Sequence, residues 1–387
     1  MLGLGSACGV QLKPETLVDK LRVLSIVAEP PEVKPGESAQ LSALLLDPSS
    51  ARTTVIWVGC EPDATGNNYT ACNDTSGLLQ PTSFTTFPEG VRILGIGNNA
   101  SYASGVNLFD GVPEGDSTRF NGVVGPVLAV VIGEEIDPTS TNEELAELFA
   151  RIERQEVKSV FALSRITVSE REPPNLNPRF EGLDVDGVAL PKNAVLQVQP
   201  GQEVALHVHA APGETYTLQL PTGREERTEP IVGAWYSTNG RFSQERFDVI
   251  TGSDTFFLAP GSAEVPEDPV PQRRFGTLWL VLRDGRGGQA HTAVRFFTCD
   301  ETLPEPKALT LTPPTAEGAP VSIKGMNLSS ALDAVVGGIA LVRGSYSTAQ
   351  DAFLGDLPPE LPPGTYPVTL RTKRCTSIET GLTLTIP

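Results

Sequence analysis

The chain has 387 residues, and its 47 acidic side chains outnumber its 29 basic ones to give a net charge of −18. A charge of this sign repels phosphate backbones and anionic lipid surfaces, so nucleic acid is excluded as an expected partner. No apolar run approaches the roughly 20 residues of a membrane-spanning helix. Glycine (37 residues) and proline (34 residues) are abundant, which is typical of strands joined by tight turns and predicts an all-β chain.

Near its start the chain carries a cysteine that follows several small residues. The run Leu4-Gly5-Ser6-Ala7-Cys8 resembles the end of a bacterial lipoprotein signal peptide, although that family usually has leucine where Gly5 stands. The resemblance implies a lipid anchor on Cys8 and a polar tether, which together make up residues 1–17. The alternative is an unpaired thiol, and without lipidation the protein would be secreted.

The first module is predicted over residues 18–169. Residues 21–27 form an apolar run before a proline-rich turn, and residues 39–46 begin with the period-two alternation of a half-buried strand. Residues 53–58 are rich in β-branched side chains and include Trp57. This run is similar to the third strand of immunoglobulin-like sandwiches, so the resemblance implies a sandwich of that kind.

One segment of the first module has helical periodicity instead. Its apolar residues recur at i, i+3, i+4 and i+7, and they are Leu145, Leu148, Phe149 and Ile152. This spacing predicts one amphipathic helix over residues 142–153, packed on the sandwich. Ser140 or Thr141 can cap it, with an acidic residue three positions later completing a capping box.

The second module is assigned to residues 170–302. It includes most of a polar, proline-stiffened linker at residues 169–178, and its folded part is predicted to begin at Phe180. In residues 203–210 apolar side chains alternate with polar ones. This alternation predicts a strand that buries its apolar set and leaves His207 and His209 on its exposed face.

A hairpin is predicted at the end of the second module. Two apolar runs, residues 278–282 and 293–297, flank Asp284-Gly285 and Gly287-Gly288, and these dipeptides supply the positive φ angles of tight turns. The arrangement resembles the final hairpin of PKD-like and other immunoglobulin-like modules in bacterial surface proteins. The resemblance implies a second sandwich of the same class.

The last module is predicted over residues 303–387. Three features resemble an IPT/TIG domain: Pro313-Pro314, the strand at residues 318–328, and the Pro363-Gly364 turn before a Val-x-Leu strand. The whole chain resembles bacterial multi-module immunoglobulin-like/PKD-like cell-surface lipoproteins. The predicted fold class is therefore all-β, with tandem immunoglobulin-like β-sandwiches and one short amphipathic helix in the first module.

The four cysteines of the body are predicted to form disulfides. Four cysteines allow three connectivities, and the favoured one joins Cys60 to Cys72 and Cys299 to Cys375. The first bridge would close a short polar loop, and the second would clamp one module to the next. The alternative, reduced cysteines in a cytosolic protein, is disfavoured because no C-x-x-C motif is present.

Metal ligands are sparse in the sequence. His207 and His209 lie on the same side of a strand and could share Zn²⁺ if a third ligand were available, but exposed histidines without a metal are the expected state. Asp184 and Asp186 could ligate Ca²⁺, as could the acidic cluster at residues 264–268, yet neither has EF-hand spacing. No cofactor is therefore predicted.

The predicted function is non-enzymatic, because nucleophile, zinc-protease and phosphate-loop motifs are absent from the sequence. We expect a lipid-anchored protein of the bacterial outer membrane or cell surface, acting in adhesion or in an envelope assembly on a protein or polysaccharide partner. One alternative is a carbohydrate-binding accessory protein, although Trp57, Trp235 and Trp279 are each predicted to pack in a core. The other alternative is a metal-dependent hydrolase that uses His207 and His209.

Overall fold

The computed structural model describes most of the chain as strands and turns. The described residues are 14–49, 52–62, 64, 91–137, 140–249, 251–252, 254–261, 274–316 and 318–386. Within these ranges no helix has both the length and the apolar character needed to cross a membrane. Cys8, Cys72 and the acidic cluster at residues 264–268 lie outside them, so the predictions made for those residues stay predictions.

The first eight strands form two sheets that enclose a core. The strands are β1 (Arg22–Glu29), β2 (Glu32–Val33), β3 (Ser38–Leu46), β4 (Thr54–Cys60), β5 (Val91–Ile96), β6 (Asn99–Ala103), β7 (Val123–Ile132) and β8 (Ser159–Val168). One sheet has the order β1-β3-β6 and the other β2-β8-β7-β4-β5. We call this unit the first sandwich. Trp57 and Tyr102 are fully buried between its sheets.

Strands β4 and β7 have almost no polar alternation because both of their faces are covered. Val55 and Trp57 point into the core between the sheets, whereas Ile56 and Val58 point to the opposite face. That opposite face is covered by helix α2 (Asn142–Glu153). A strand that is buried on both faces has a nearly continuous apolar sequence, and β4 has such a sequence.

The helix α2 begins and ends where its periodicity predicts. The Thr141 side chain accepts a hydrogen bond from the Glu144 backbone N–H, and the Glu144 carboxylate accepts one from the Thr141 backbone N–H, which completes the capping box. The apolar face is buried against β4 and β7 and consists of Leu145, Leu148, Phe149 and Ile152. A second, five-residue helix, α1 (Ser117–Asn121), was not predicted.

The cap of α2 gives a first testable expectation. Replacing Thr141 with alanine removes the side-chain acceptor from the Glu144 N–H and should lower the free energy of unfolding by about 1 kcal/mol. Glu143→Ala is the matched control, because Glu143 lies in the same exposed turn outside the capping box. Urea unfolding monitored by circular dichroism measures both variants, and equal losses would contradict the assigned cap.

The next twelve strands form the second sandwich. They are β9 (Phe180–Val185), β10 (Val188–Ala189), β11 (Leu196–Val198), β12 (Glu203–Ala210), β13 (Thr215–Leu220), β14 (Gly223–Thr228), β15 (Val232–Ser237), β16 (Arg241–Phe242), β17 (Arg246–Asp248), β18 (Thr255–Leu258), β19 (Phe275–Arg283) and β20 (Gln289–Thr298). The two sheets have the orders β10-β9-β12-β18-β16 and β11-β20-β19-β15-β17, and β13 and β14 form a separate hairpin. Trp235 and Phe257 lie at the centre of the core between the sheets.

The last eight strands form the third sandwich. They are β21 (Lys307–Thr312), β22 (Val321–Met326), β23 (Ala331–Val336), β24 (Ile339–Ala340), β25 (Val342–Ser347), β26 (Ala352–Asp356), β27 (Gly364–Thr372) and β28 (Ser377–Ile386). Its sheets have the orders β21-β22-β26-β25 and β24-β23-β27-β28. A core that includes Ile323, Phe353 and Leu370 fills the space between them.

The fold class is therefore all-β, with tandem immunoglobulin-like sandwiches and a short amphipathic helix, as predicted. The assigned residue boundaries of the three modules remain predictions. One interpretation needs correction at residues 169–178: Arg171 is 4 % exposed and Asn175 is 1 % exposed. These residues are packed between the first two sandwiches and do not form a solvated linker, because their polar groups find partners on both sides.

Candidate binding surface and its supporting junctions

The contact between the first and second sandwiches, called here the first junction, is built around buried charges. Arg286 lies in the β19–β20 turn and donates to Glu32 in β2 at 2.9 Å and to Glu229 at 2.6 Å. The two carboxylates are only 1 % and 2 % exposed. One guanidinium therefore joins a carboxylate of the first sandwich to a carboxylate of the second.

Neighbouring polar groups satisfy much of the remaining hydrogen-bonding capacity of this cluster. Glu32 also accepts bonds from the Ser169 hydroxyl at 2.5 Å and the Asn175 backbone N–H at 2.6 Å. The Asn175 side-chain amide donates to Asp284 at 2.9 Å. Buried ions are tolerated when their lone pairs are occupied in this way, so Ser169 and Asn175 complete the first junction.

Aromatic rings cover the cations of the first junction. The Arg286 guanidinium lies 4.3 Å from the centroid of the Tyr216 ring, and Arg171 lies 5.4 Å from the same ring and 5.2 Å from that of Phe120. Burial lowers the pKa of Arg171 and raises the pKa values of Glu229 and Asp284. The physical cause is the near-complete burial of these three side chains, which disfavours their charged forms.

A second contact, called here the second junction, holds the third sandwich to the second. The structure joins Cys299, just after β20, to Cys375, just after β27, in a disulfide with a Cα–Cα distance of 5.6 Å. The Cys60 side chain is buried at the end of β4, and its predicted pairing with Cys72 stays a prediction. A small apolar cluster of Val195, Phe297 and Leu332 lies in the same junction.

Asp333 is the buried charge of the second junction. One carboxylate oxygen, Oδ2, accepts bonds from the Val195 N–H at 2.9 Å and from Arg371 at 3.1 Å. The other oxygen, Oδ1, is buried without a hydrogen-bond partner among the described residues. Burial raises the pKa of Asp333 above its usual range, outweighing the opposing effect of Arg371.

The raised pKa of Asp333 predicts a pH dependence. A carboxyl group whose pKa is higher in the folded than in the unfolded protein stabilises the fold below the unfolded pKa and loses this contribution as pH rises through the folded pKa. We therefore expect the unfolding free energy of the wild type, relative to that of Asp333→Asn, to decrease as the pH rises from about 4 to neutral. The lower limit is the ordinary pKa of an aspartate. Urea unfolding of both proteins across this range measures the change.

Asp300 lies in the same junction and provides a control, because its pKa is shifted in the opposite direction. Its pKa is lowered, first by the hydrogen bond from the Thr302 hydroxyl. Relative to Asp300→Asn, the wild type should therefore lose stability as pH falls through the folded pKa of Asp300. If both comparisons changed in the same direction with pH, the assignment of a raised pKa to Asp333 would be wrong.

Between the two junctions lies part of the outer face of the sheet β11-β20-β19-β15-β17. Leu278 and Leu280 of β19 point into the core, so Trp279 points outward. Trp279 pairs with Tyr236 on β15 and with Ala293 on β20. Trp279 and Tyr236 are both half-buried.

Phe275 extends this surface towards the second junction. Its side chain is 42 % exposed, and the guanidinium of Arg295 lies 5.1 Å from its ring centroid. We call Tyr236, Phe275, Trp279 and Arg295 the aromatic strip. Trp57 and Trp235 are fully buried as predicted, but Trp279 corrects the prediction that every tryptophan packs in a core.

A cleft of about 560 Å³ opens beside Tyr236, at the edge of the aromatic strip. Arg22 and Val160 of the first sandwich and Arg246 of the second are among the residues that line it. The cleft is thus shared by two sandwiches, so its shape depends on the first junction. Another cleft, of about 660 Å³, lies between the second and third sandwiches and includes Val188 and Arg371.

The predicted metal candidates lie on the opposite sheet of the second sandwich. His207 pairs with Asp254 at 3.0 Å and His209 with Asp184 at 2.9 Å, and the two imidazole rings are 4.9 Å apart. Asp186 accepts a bond from the Ala205 N–H at 2.8 Å. Among the described residues, no group of three or more His, Cys, Asp or Glu side chains is placed to hold a metal ion.

His291 is separated from these two histidines. It lies on β20, in the other sheet, where its Nδ1 is 3.0 Å from the Ser25 hydroxyl of the first sandwich. Burial lowers the pKa of His291. The third histidine of the sequence therefore contributes to the contact between the first two sandwiches and is not brought to His207 and His209.

Sequence comparison adds no family to these observations. Neither a family nor a curated protein matches the sequence. Similar solved structures include the SGBP-B protein of a Bacteroides ovatus mixed-linkage glucan utilization locus, in complex with a heptasaccharide, at 10 % identity over 96 % of this chain and 70 % of that one (TM-score 0.16). A bacterial ice-binding adhesin of 1.5 MDa is similar at 7 % identity over 93 % and 95 % of the two chains (TM-score 0.18).

A third similar structure contains three N-terminal domains of the outer capsid protein Hoc of bacteriophage RB49. It matches at 10 % identity over 93 % of this chain and 95 % of that one, with a TM-score of 0.19. With superposition scores this low, the likenesses carry no functional argument. The fold class rests on the strands and sheets described above.

Proposed function

We propose that the chain is a non-enzymatic binding module of the bacterial cell envelope, acting in adhesion or in an envelope assembly. In this proposal Cys8 carries a lipid anchor and residues 1–17 form the tether, the end of which is held against the second sandwich by backbone hydrogen bonds of Thr16 and Val18 with Ser237. The modules at residues 18–169, 170–302 and 303–387 bind an envelope protein or polysaccharide. The last module is an IPT/TIG-like domain. The whole protein is located at the outer membrane or the cell surface.

The observation that carries this proposal is the construction of the two junctions. Domains that move independently meet through small, solvated contacts. Here Glu32 and Glu229 are buried around one arginine, and a disulfide closes the second junction. Such contacts favour a stiff tandem of sandwiches, which is suited to holding one surface at a fixed distance from an anchor.

Two measurements on native cells test the proposal. Intact mass of the purified protein should show a diacyl or triacyl increment on Cys8, and protease added to whole cells should degrade the protein. A Cys8→Ser variant is the control and should be released from the membrane fraction. An unmodified Cys8 together with free thiols at Cys299 and Cys375 would contradict the proposal and place the protein in the cytoplasm.

A further inference from the structure

The rings of the aromatic strip lie on two neighbouring strands of one sheet, β15 and β19. Phe275 and Trp279 are four residues apart on β19, about 13 Å in an extended strand. Tyr236 lies directly beside Trp279 on the neighbouring strand. The strip therefore has aromatic side chains at both of its ends, and its Tyr236 end continues into the cleft shared by the first two sandwiches.

The residues around the rings favour a sugar chain over an apolar protein surface. Thr277 lies between Phe275 and Trp279 on the strand, and Ala293 lies opposite Trp279. Along this part of β19 the surface thus alternates rings with small or polar groups. The negative face of an aromatic ring attracts the C–H groups of a pyranose, and polar neighbours can bind its hydroxyls.

The charges that line the cleft favour a neutral ligand. Three carboxylates and three cations face it, namely Glu15, Asp19, Glu245, Lys20, Arg22 and Arg246. This lining is balanced, whereas the whole chain carries a net charge of −18. A polyanion would be repelled by the chain as a whole, while a balanced lining supplies both donors and acceptors for uncharged hydroxyl groups.

We infer that the aromatic strip and the adjoining cleft bind a neutral polysaccharide. Tyr236, which lines the cleft, and Trp279 beside it are the stacking residues, and Phe275 is a further contact along the strand. This inference rests on the proposed surface function and names its partner. It also moves the sugar-binding candidates from Trp57 and Trp235, which are fully buried, to Trp279.

The test is affinity electrophoresis of the full chain through gels that contain a β-glucan, a xylan, a mannan or polygalacturonate. We expect retardation by at least one neutral polysaccharide, weakened about tenfold or more in Trp279→Ala. Phe275→Ala should also weaken binding, and Phe256→Ala is its matched control, because Phe256 is 41 % exposed on the opposite sheet while Phe275 is 42 % exposed on the strip. Trp279→Phe should retain part of the affinity and guards against a folding defect.

Tryptophan fluorescence gives an independent readout without substitution. Trp57 and Trp235 are 0 % exposed, whereas Trp279 is half-buried. Quenching by acrylamide therefore reports mainly on Trp279, and the bound polysaccharide should reduce it. A ligand that retards the protein without protecting Trp279 would overturn the assigned site.

Other results would also overturn the inference. These are retardation by none of the neutral polysaccharides, retardation by polygalacturonate only, and equal affinity in Trp279→Ala and wild type. Such a failure is distinguishable from failure of the proposed function, because lipidation of Cys8 and surface exposure are measured separately on native cells. A lipidated, surface-exposed protein that ignores these polysaccharides would direct the search to a protein partner.

Discussion

Replacing Arg286 with alanine should lower the free energy of unfolding by about 3 to 5 kcal/mol, the usual cost of leaving buried charges without their partner. The variant leaves the buried Glu229 without its cation, and it leaves Glu32 with Arg171 alone, at 3.9 Å. It also removes the cation above the Tyr216 ring. Because these groups belong to two sandwiches, we expect the first sandwich to unfold separately from the second in urea.

Arg154→Ala is the matched control for this experiment. Arg154 pairs with Glu147 at 3.0 Å and with Glu156 at 2.7 Å, and all three side chains are at least half exposed. Exposed pairs contribute about 1 kcal/mol or less. Arg286→Lys should fall between the two variants, since lysine keeps the charge and lacks the planar fork. Equal losses in Arg286→Ala and Arg154→Ala would contradict the role assigned to the first junction.

Removing the disulfide of the second junction should also have a large effect. Cys299 and Cys375 are 76 residues apart in sequence. Closing a loop of that length raises the free energy of the unfolded chain by about 4 kcal/mol, because it removes conformational entropy. The loop contains most of the third sandwich. We therefore expect that sandwich to unfold at a lower urea concentration in Cys375→Ser, as measured by circular dichroism and by proteolysis of its fragments.

The two single substitutions and the double substitution should have the same effect on stability. Each of them removes the one bond between Cys299 and Cys375, so their effects do not add. The native contact should persist, because hydrogen bonds such as that from the Asp300 N–H to the Lys373 carbonyl at 2.8 Å remain. If the losses of stability in the two single variants added up in the double variant, the stabilisation would not come from a bond between Cys299 and Cys375.

Local patterns in the sequence predicted the local structure well. The helix α2 follows from its periodicity and its cap, and the hairpin β19–β20 follows from the glycines of its turn. Both depend on residues close together in the chain, where propensity and hydrogen bonding act directly. The same turn carries Arg286, whose partners Glu32 and Glu229 are distant in sequence, so no local pattern could reveal the first junction.

The aromatic strip could not be predicted from the sequence for a different reason. Residues 278–282 form a continuous apolar run, which indicates a strand buried on both faces. In the structure Val281 is buried on the outer face near the first sandwich, whereas Trp279, on the same face, is half-buried. Which outward residue becomes covered depends on where the neighbouring sandwich packs. The polar residues opposite, including Arg295, were the only sequence signal of an open surface.

Through their two junctions the three sandwiches form one stiff body. Small-angle X-ray scattering of the full chain tests this most directly, because the scattering curve reports the spacing of the sandwiches in solution. We predict a curve that one fixed arrangement fits in both low and high salt, since buried ion pairs such as Arg286 with Glu32 are screened little. A curve that requires separated, independently moving sandwiches would contradict the account.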